Sequence, residues 1–191
     1  GATAAPELAS AEAVTIEDVP VEDVKYTIRE DGTVTITKYI GQAQHLRLPA
    51  EIEGKPVTRI GAEAFYGCDG QQTVVVPEGV TTIGKAAFFH CDGLTQVILP
   101  ETLLTINDGL TFSGCPNLMQ VNLPASLTSV GDKAFSECPN LSLTVVAGSY
   151  GEEYAKRTGI PYEVVQAAAS AAPEATTAAA PATDFEYTKL E

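Results

Sequence analysis

Positive charge is scarce in this chain of 191 residues, because eleven Lys and Arg stand against 25 Asp and Glu and give a formal net charge of −14. Binding to nucleic acid rests on Lys and Arg that neutralise phosphates, so this balance argues against a nucleic-acid partner. It disfavours binding to an anionic membrane surface for the same reason. No apolar run approaches the roughly 20 residues that a spanning helix needs, so we expect no membrane insertion.

The sequence also lacks the short motifs that carry common chemistry. It has two histidines, His45 and His90, and a lone imidazole without a partner performs no reaction. It contains no nucleophile elbow, phosphate-cradling glycine loop or dinucleotide fingerprint, and no spaced Asp/Asn/Gly loop for calcium. We therefore expect no enzyme activity, no cofactor and no metal site.

What the chain does contain is a tandem repeat. A phenylalanine and a cysteine separated by two residues occur four times, at steps of 23, 24 and 23 residues. The pairs are Phe65/Cys68, Phe88/Cys91, Phe112/Cys115 and Phe135/Cys138. A period in the low twenties is typical of a solenoid, in which each coil buries its apolar face only against stacked neighbours. We expect these phenylalanines and cysteines to form the core, and any function to lie on a surface.

Each coil contains a short segment rich in β-branched residues and leucine that ends near a proline, as a strand does. A second extended stretch follows, and it ends at Ile60, Ile83, Ile106 or Val130. Three of these residues precede a glycine, and we expect Gly61, Gly84 and Gly131 to form sharp turns with an unusual φ angle. The first coil carries about five extra residues, 51–55, which we assign to a loop.

The two ends of the array have signals of their own. Residues 26–37 alternate around Asp31-Gly32, which predicts a β-hairpin that covers the first coil. Ser149 with Glu152 three residues later forms a capping box, and Gly159 suits the position just beyond a helix end. A helix over about 150–157 would therefore close the array, and residues 162–165 are predicted to follow it as a strand.

These signals divide the chain into four parts. Residues 1–23 are rich in Ala, Glu and Asp and predict a flexible acidic leader, and residues 24–165 hold the repeats. Residues 166–183 are almost wholly Ala, Thr, Pro and Ser, which is a linker composition. Residues 184–191 share Asp, Tyr, Thr and Glu with residues 23–30 at equal spacing, and we interpret them as the truncated start of a further module.

The repeated unit, Leu-x-x-Val-x-Leu-Pro followed by Val-x-x-Ile-Gly-x-x-Ala-Phe-x-x-Cys, resembles the BspA-like, or Treponema-type, leucine-rich repeats of bacterial surface proteins. The hairpin, the enlarged first repeat with Gly54-Lys55-Pro56-Val57 and the closing helix are similar to the usual ends of that family. The resemblance implies a mainly β leucine-rich-repeat solenoid of about four to five 23-residue coils with short helices, an N-terminal β-hairpin cap and a C-terminal helical cap. It also implies a secreted or wall-attached protein that acts in adhesion or protein binding. Thr144 and Ala147 depart from the pattern in the fifth coil.

For the four cysteines, a disulfide and a zinc site are the alternatives to a place in the core. Equivalent positions on stacked coils lie about 4.8 Å apart, which is within disulfide range. Equivalent side chains nevertheless point the same way, and free cysteine packs as a small apolar residue. Zinc needs four convergent ligands, and a ladder of cysteines cannot converge. We expect an inert ladder of free thiols.

The regular sheet is the candidate binding surface. In each strand, the side chains next to the inward Leu and Val positions point outward. They form one column of His45, Thr73, Gln96 and Gln120, and a second column of Arg47, Val75, Ile98 and Asn122. Val75 beside Ile98 is the most suggestive spot, because it is an apolar pair on a sheet that polar residues could have filled. A merely solvated sheet is the alternative, because single exposed apolar residues are normal.

From these features we predict a non-enzymatic, extracellular binding module of a bacterial cell-surface or secreted protein, with a protein or host-surface ligand. The alternative is a structural spacer or stalk that presents another domain. A further prediction concerns residues 184–191, because an unpaired strand tends to add to an available sheet edge. We expect this tail to pack against a sheet edge of its own chain or to mediate self-association.

Overall fold

The computed structural model describes residues 13–107 and 109–167. Within them the chain winds through stacked coils, most of which contribute one short strand to each of two sheets. A single turn of 3-10 helix, Val21–Asp23, follows the first strand. The other elements in chain order are β1 Glu17–Asp18, β2 Val24–Ile28, β3 Val34–Tyr39, β4 His45–Arg47, β5 Glu51–Ile52, β6 Lys55–Ile60, β7 Thr73–Val75, β8 Thr82–Ile83, β9 Gln96–Ile98, β10 Thr105–Ile106, β11 Gln120–Leu123, β12 Ser129–Val130, β13 Ser142–Val146, α1 Tyr150–Thr158 and β14 Tyr162–Val165.

Two sheets run along the stack. Sheet 1 has the strand order β1-β4-β7-β9-β11-β13-β14 and is parallel throughout. Sheet 2 has the order β12-β10-β8-β6-β3-β2 and is parallel except for the β2/β3 hairpin. Because consecutive coils add neighbouring strands to each sheet, equivalent residues of the repeat form columns along the stack. The predicted mainly β solenoid is confirmed, with one α-helix among the described residues.

The core is built around a stack of aromatic rings. The four repeated phenylalanines are at most 4% exposed, and their ring centroids follow one another at 4.8, 4.9 and 5.1 Å with interplanar angles of 12° or less. Tyr39 continues this stack at 5.3 Å from Phe65. At the other end, the ring of Tyr154 meets Phe135 edge-on at 6.2 Å. The predicted phenylalanine ladder is confirmed, and the structure adds a tyrosine at each end.

The cysteines form a second ladder beside the rings. All four are free thiols, and three of them donate a hydrogen bond to the carbonyl oxygen of the phenylalanine in the preceding coil. Cys91 Sγ lies 3.0 Å from Phe65 O, and Cys138 Sγ lies 3.0 Å from Phe112 O. Hydrogen bonding with the thiols of Cys115 and Cys68, together with burial, raises the pKa of the Cys91 thiol. Each of these three cysteines therefore joins two coils without a covalent bond.

The glycines after the second strand of each coil serve a different purpose from the one expected. Gly61, Gly84 and Gly131 do not have positive φ angles. A Cβ atom on Gly84 would instead lie 2.7 Å from the backbone nitrogen of Ala62 in the preceding coil. The expectation of unusual φ was wrong, and close stacking of backbones is the reason for glycine at positions 61 and 84. Left-handed backbone occurs in another column, at Gly67, His90, Gly114 and Glu137.

The hairpin cap forms as predicted, and it is longer than the sequence indicated. Strands β2 and β3 pair in antiparallel fashion around a turn in which Gly32 has φ 80°. Strand β3 then pairs in parallel with β6, so the hairpin extends sheet 2 over the first coil. The five extra residues assigned to a loop contain β5, which pairs with β6 through a tight turn at Glu53 and Gly54. Both turn residues have positive φ, as a two-residue hairpin requires.

Helix α1 closes the other end of the array. The Ser149 side chain accepts a hydrogen bond from the Glu152 backbone N–H, and Gly159 ends the helix with φ 74°, so both predicted caps are confirmed. Lys156, which hydrogen bonds to Glu152, and the Gly148 N–H lower the pKa of the Glu152 carboxyl. Strand β14 follows and pairs with β13. The helix thereby covers the last coil and returns the chain to sheet 1.

Ordered packing begins before residue 24, where the predicted leader was to end. Strand β1 pairs in parallel with β4, the Val19 N–H donates to Arg47 O at 2.9 Å, and Val19 is 7% exposed. The acidic composition gave no sign of this contact, because Val19 is the only buried apolar side chain within residues 13–23. The remainder of the leader up to residue 12, most of the linker, and the tail 184–191 lie outside the described residues.

Candidate binding face

The outward columns of sheet 1 have the predicted register. His45 pairs with Thr73, Thr73 with Gln96 and Gln96 with Gln120 along the first column. Arg47 pairs with Val75 and Val75 with Ile98 along the second. We call the side chains of these columns the strand face, which comprises His45, Arg47, Thr73, Val75, Gln96, Ile98, Gln120 and Asn122. Sheet 1 therefore brings together the eight residues selected from the sequence.

Accessibility along the strand face is uneven. Ile98 is 38% exposed, and Arg47 and Gln120 are also exposed. Thr73 is only 6% exposed, because His45 lies over it with its Nδ1 3.0 Å from Thr73 Oγ1. Thr73 was predicted to be a surface residue, but the imidazole of His45 covers it. The accessible part of the face therefore centres on Ile98 and the glutamines.

Asn122 interrupts the hydrogen-bond ladder of the sheet. Strands β9 and β11 are paired only at Gln96 and Val97, although β7 and β9 stay paired as far as Ile98. Beyond that point the Leu99 N–H donates to Asn122 Oδ1 at 2.8 Å, and Asn122 Nδ2 donates to Leu99 O at 2.9 Å. The asparagine amide thus replaces a backbone partner, and both of its polar atoms are engaged within the sheet.

A shallow hollow of about 270 Å³ lies at this interruption. Its walls include the side chains of Gln96, Ile98, Gln120 and Thr144. A primary amide offers two donors and an accepting oxygen, so two glutamines in one hollow present both kinds of hydrogen-bonding group beside an exposed aliphatic side chain. This arrangement suits a ligand with peptide-like or other neutral polar groups.

Charge is confined to one end of the face. Asp18 of β1 accepts a hydrogen bond from Arg47 at 3.2 Å, and both side chains are mostly exposed. From Val75 to Asn122, the strand face carries no ionisable side chain. The chain as a whole has a net charge of −14, so this neutral stretch contrasts with the rest of the protein.

Two residues of this surface were missed in the sequence. Thr144 had been read as a break in the fifth coil, yet β11 and β13 stay in register over four residues and pair Asn122 with Thr144. The alternation in residues 142–146 was the signal that could have identified it. Asp18 was assigned to the leader, and no sequence signal placed it next to Arg47.

Clusters of metal-ligating side chains and membrane-spanning helices are both absent from the described residues. Within residues 13–107 and 109–167, no group of three or more His, Cys, Asp or Glu could hold a metal ion. None of the helices in the same residues is both long and apolar enough to cross a membrane.

Comparison with known proteins identifies the same kind of repeat fold. Residues 46–151 match the model of the BspA type leucine rich repeat region in six copies, where four to five coils had been expected. The leucine rich repeat protein of T. pallidum (TpLRR) is 29% identical with a TM-score of 0.56, over 68% of this chain and 71% of that one. A leucine-rich repeat protein from Bacteroides capillosus is 31% identical with a TM-score of 0.58, over 65% of this chain and 96% of that one. No curated protein sequence matches the chain. The chain belongs to the BspA type leucine-rich repeat family.

Proposed function

We propose that this chain is a non-enzymatic, extracellular binding module of a bacterial cell-surface or secreted protein, and that its strand face holds a protein ligand. The observation that carries the proposal is the neutral hollow at the Asn122 interruption, where Ile98 lies beside the paired Gln96 and Gln120, two residues further along β9. An accessible aliphatic side chain flanked by amides suits an exposed peptide segment of a partner, because it combines apolar contact with hydrogen bonds to the main chain. The location outside the cell rests on the resemblance to bacterial surface repeats.

The test places charge in the apolar centre of the face. The native chain is first tested for binding to an array of immobilised extracellular matrix proteins. We expect the double variant Val75→Glu/Ile98→Glu to lose binding to any partner found in this way, because a buried, unpaired carboxylate at an interface is strongly unfavourable. A matched control, Ile28→Glu/Leu104→Glu, adds the same charge at two residues that are 44% and 45% exposed and lie outside sheet 1. Circular dichroism of both variants checks that the fold is retained.

The outcomes separate this proposal from its alternatives. If the native chain binds a partner and the strand-face variant binds that partner equally well, the strand face is not the site. A native chain that binds no partner favours the spacer or stalk function, for which the Ala/Thr/Pro composition of residues 166–183 is the supporting observation. Turnover of a glycan or peptide by the native chain would contradict the non-enzymatic part.

A further inference from the structure

A second surface lies on the turns that follow the phenylalanine ladder. The residue directly after each core phenylalanine forms a column of Tyr66, Phe89, Ser113 and Ser136. Tyr66 is 55% exposed, and its ring lies 5.6 Å from that of Phe89 at an angle of 45°. The next two coils have serine at the equivalent position, so the fold does not require an aromatic residue there. Exposed Tyr66 and half-buried Phe89 therefore need an explanation other than packing.

A hollow of about 460 Å³ adjoins this pair. Phe89 and His90 line one side of it, and their rings are 4.1 Å apart. Its lining also includes Ser113, Ser136, Lys133 and Glu137. The volume falls within the range of about 300–1,000 Å³ that is usual for small-molecule sites. The hollow is thus large enough for a ring-sized ligand that rests on Phe89.

The two serine hydroxyls are oriented by their own hydrogen bonds. Ser136 Oγ donates to Lys133 O at 3.0 Å, and the Ser113 and Ser136 oxygens are 2.8 Å apart. Because the Ser136 proton is committed to the carbonyl, Ser113 is the donor between the two hydroxyls. Ser113 is only 2% exposed, whereas Ser136 is half-buried, so Ser136 Oγ is the oxygen that keeps acceptor capacity for a ligand. The hollow therefore combines an aromatic surface with a hydroxyl acceptor for an O–H or N–H donor.

This combination discriminates between classes of ligand. An aliphatic peptide side chain would cover the Ser136 oxygen without donating to it, which is unfavourable. A phosphate would meet a single lysine with Glu137 close by, on a protein of net charge −14. A hexose ring has an apolar C–H face for an aromatic surface and hydroxyl donors around its edge for Ser136. We propose that Tyr66, Phe89 and Ser136 form a binding site for a neutral hexose unit of a glycan. This site is separate from the strand face.

The test uses the full chain and two defined disaccharides. Cellobiose and N,N′-diacetylchitobiose are titrated to about 50 mM against the ¹⁵N-labelled protein, a range that extends well above a dissociation constant of about 1 mM. We expect saturable shifts of the backbone amides of Phe89, Ser113 and Ser136 with at least one disaccharide. Tyr66→Ser/Phe89→Ser should weaken that binding by about tenfold or more, and this variant copies residues that the column already contains.

A control on the other surface makes the result specific. Val75→Ser/Ile98→Ser removes the same kind of apolar surface from the strand face and should leave sugar binding unchanged. Absence of saturable shifts with both disaccharides would overturn the proposal. Equal affinity in the Tyr66→Ser/Phe89→Ser variant would also overturn it, as would shifts confined to sheet 1. Because the probes are sugars rather than matrix proteins, these outcomes are independent of those for the strand face.

Discussion

Phe112 lies at the centre of the aromatic stack, with the Phe88 ring at 4.9 Å on one side and the Phe135 ring at 5.1 Å on the other. It is fully buried, so replacement by alanine removes contacts with two coils at once and leaves a cavity between them. We predict that Phe112→Ala lowers the free energy of unfolding by about 3–5 kcal/mol. Urea denaturation followed by circular dichroism measures the change.

The control for this prediction is Leu104→Ala, because Leu104 is apolar and 45% exposed. Surface substitutions of this kind usually change stability by no more than about 0.5 kcal/mol. Similar unfolding midpoints for the two variants would contradict a core that depends on stacking of the phenylalanines.

At the residue scale, the sequence predicted which side chains are buried but not how each one contacts its neighbours. The spacing of Phe88 and Cys91 identified both as core residues. It could not show that the Cys91 thiol donates to the Phe65 carbonyl, because that contact depends on the offset between adjacent coils. The same limit explains Thr73, since only the structure shows that the His45 ring covers it.

Helix α1 depends on one buried phenol. Tyr154 is fully buried, and its hydroxyl donates to Gly131 O at 3.2 Å. Burial and the nearby charge of Asp132 raise the pKa of Tyr154 above its usual value of 10.0. A raised pKa means that the neutral phenol is favoured in the folded state, so its contribution to stability is complete below pH 10 and is lost as the pH rises through the folded-state pKa.

We therefore predict that the difference in stability between the native chain and Tyr154→Phe is pH-dependent. Below about pH 9 the native chain should be the more stable, by about 0.5–1.5 kcal/mol for the hydrogen bond. Above pH 10 this advantage should shrink, because phenylalanine cannot ionise. Urea denaturation at a series of pH values measures it, and a difference that stays constant up to pH 11 would count against the assignment.

Among the elements, those with local signals were predicted and those that depend on distant partners were not. The caps of α1 were identified from Ser149 and Gly159, because a capping box and a C-terminal glycine act within one turn. The β5 hairpin was assigned to a loop because β5 has only two residues. Strand β1 was missed because its partner, β4, lies more than twenty residues further along the chain.

For the whole molecule, the open edges of the sheets matter most. Sheet 1 ends at β14, where Val164 and Val165 are 45% and 43% exposed, and sheet 2 ends at β2. An edge strand presents unpaired backbone groups on which another strand can add. We predict that residues 184–191, whose sequence resembles β2, use such an edge. A chain truncated after Val165 should then have a lower solution mass, a lower melting temperature, or both.

Light scattering and a thermal melt measure these two quantities. The full-length variant Phe185→Ser/Tyr187→Ser is the matched control, because it keeps the linker and the chain length but removes the apolar residues of the tail. It should behave like the truncated chain. Unchanged mass and melting temperature after truncation would rule out a role for the tail in packing or self-association.

The two ends of the aromatic stack differ from its interior, and this limits how such a protein can change in length. Tyr39 lies nearly parallel to Phe65, with 18° between the rings, whereas Tyr154 meets Phe135 at 62°. A coil added outside either tyrosine would have no phenylalanine on which to stack. We therefore expect duplication of a coil to be best tolerated between Phe65 and Phe135, where each added phenylalanine has a parallel ring on both sides. Each duplication would widen the strand face by one row, about 4.8 Å, so the length of the face can evolve while both caps keep their sequence.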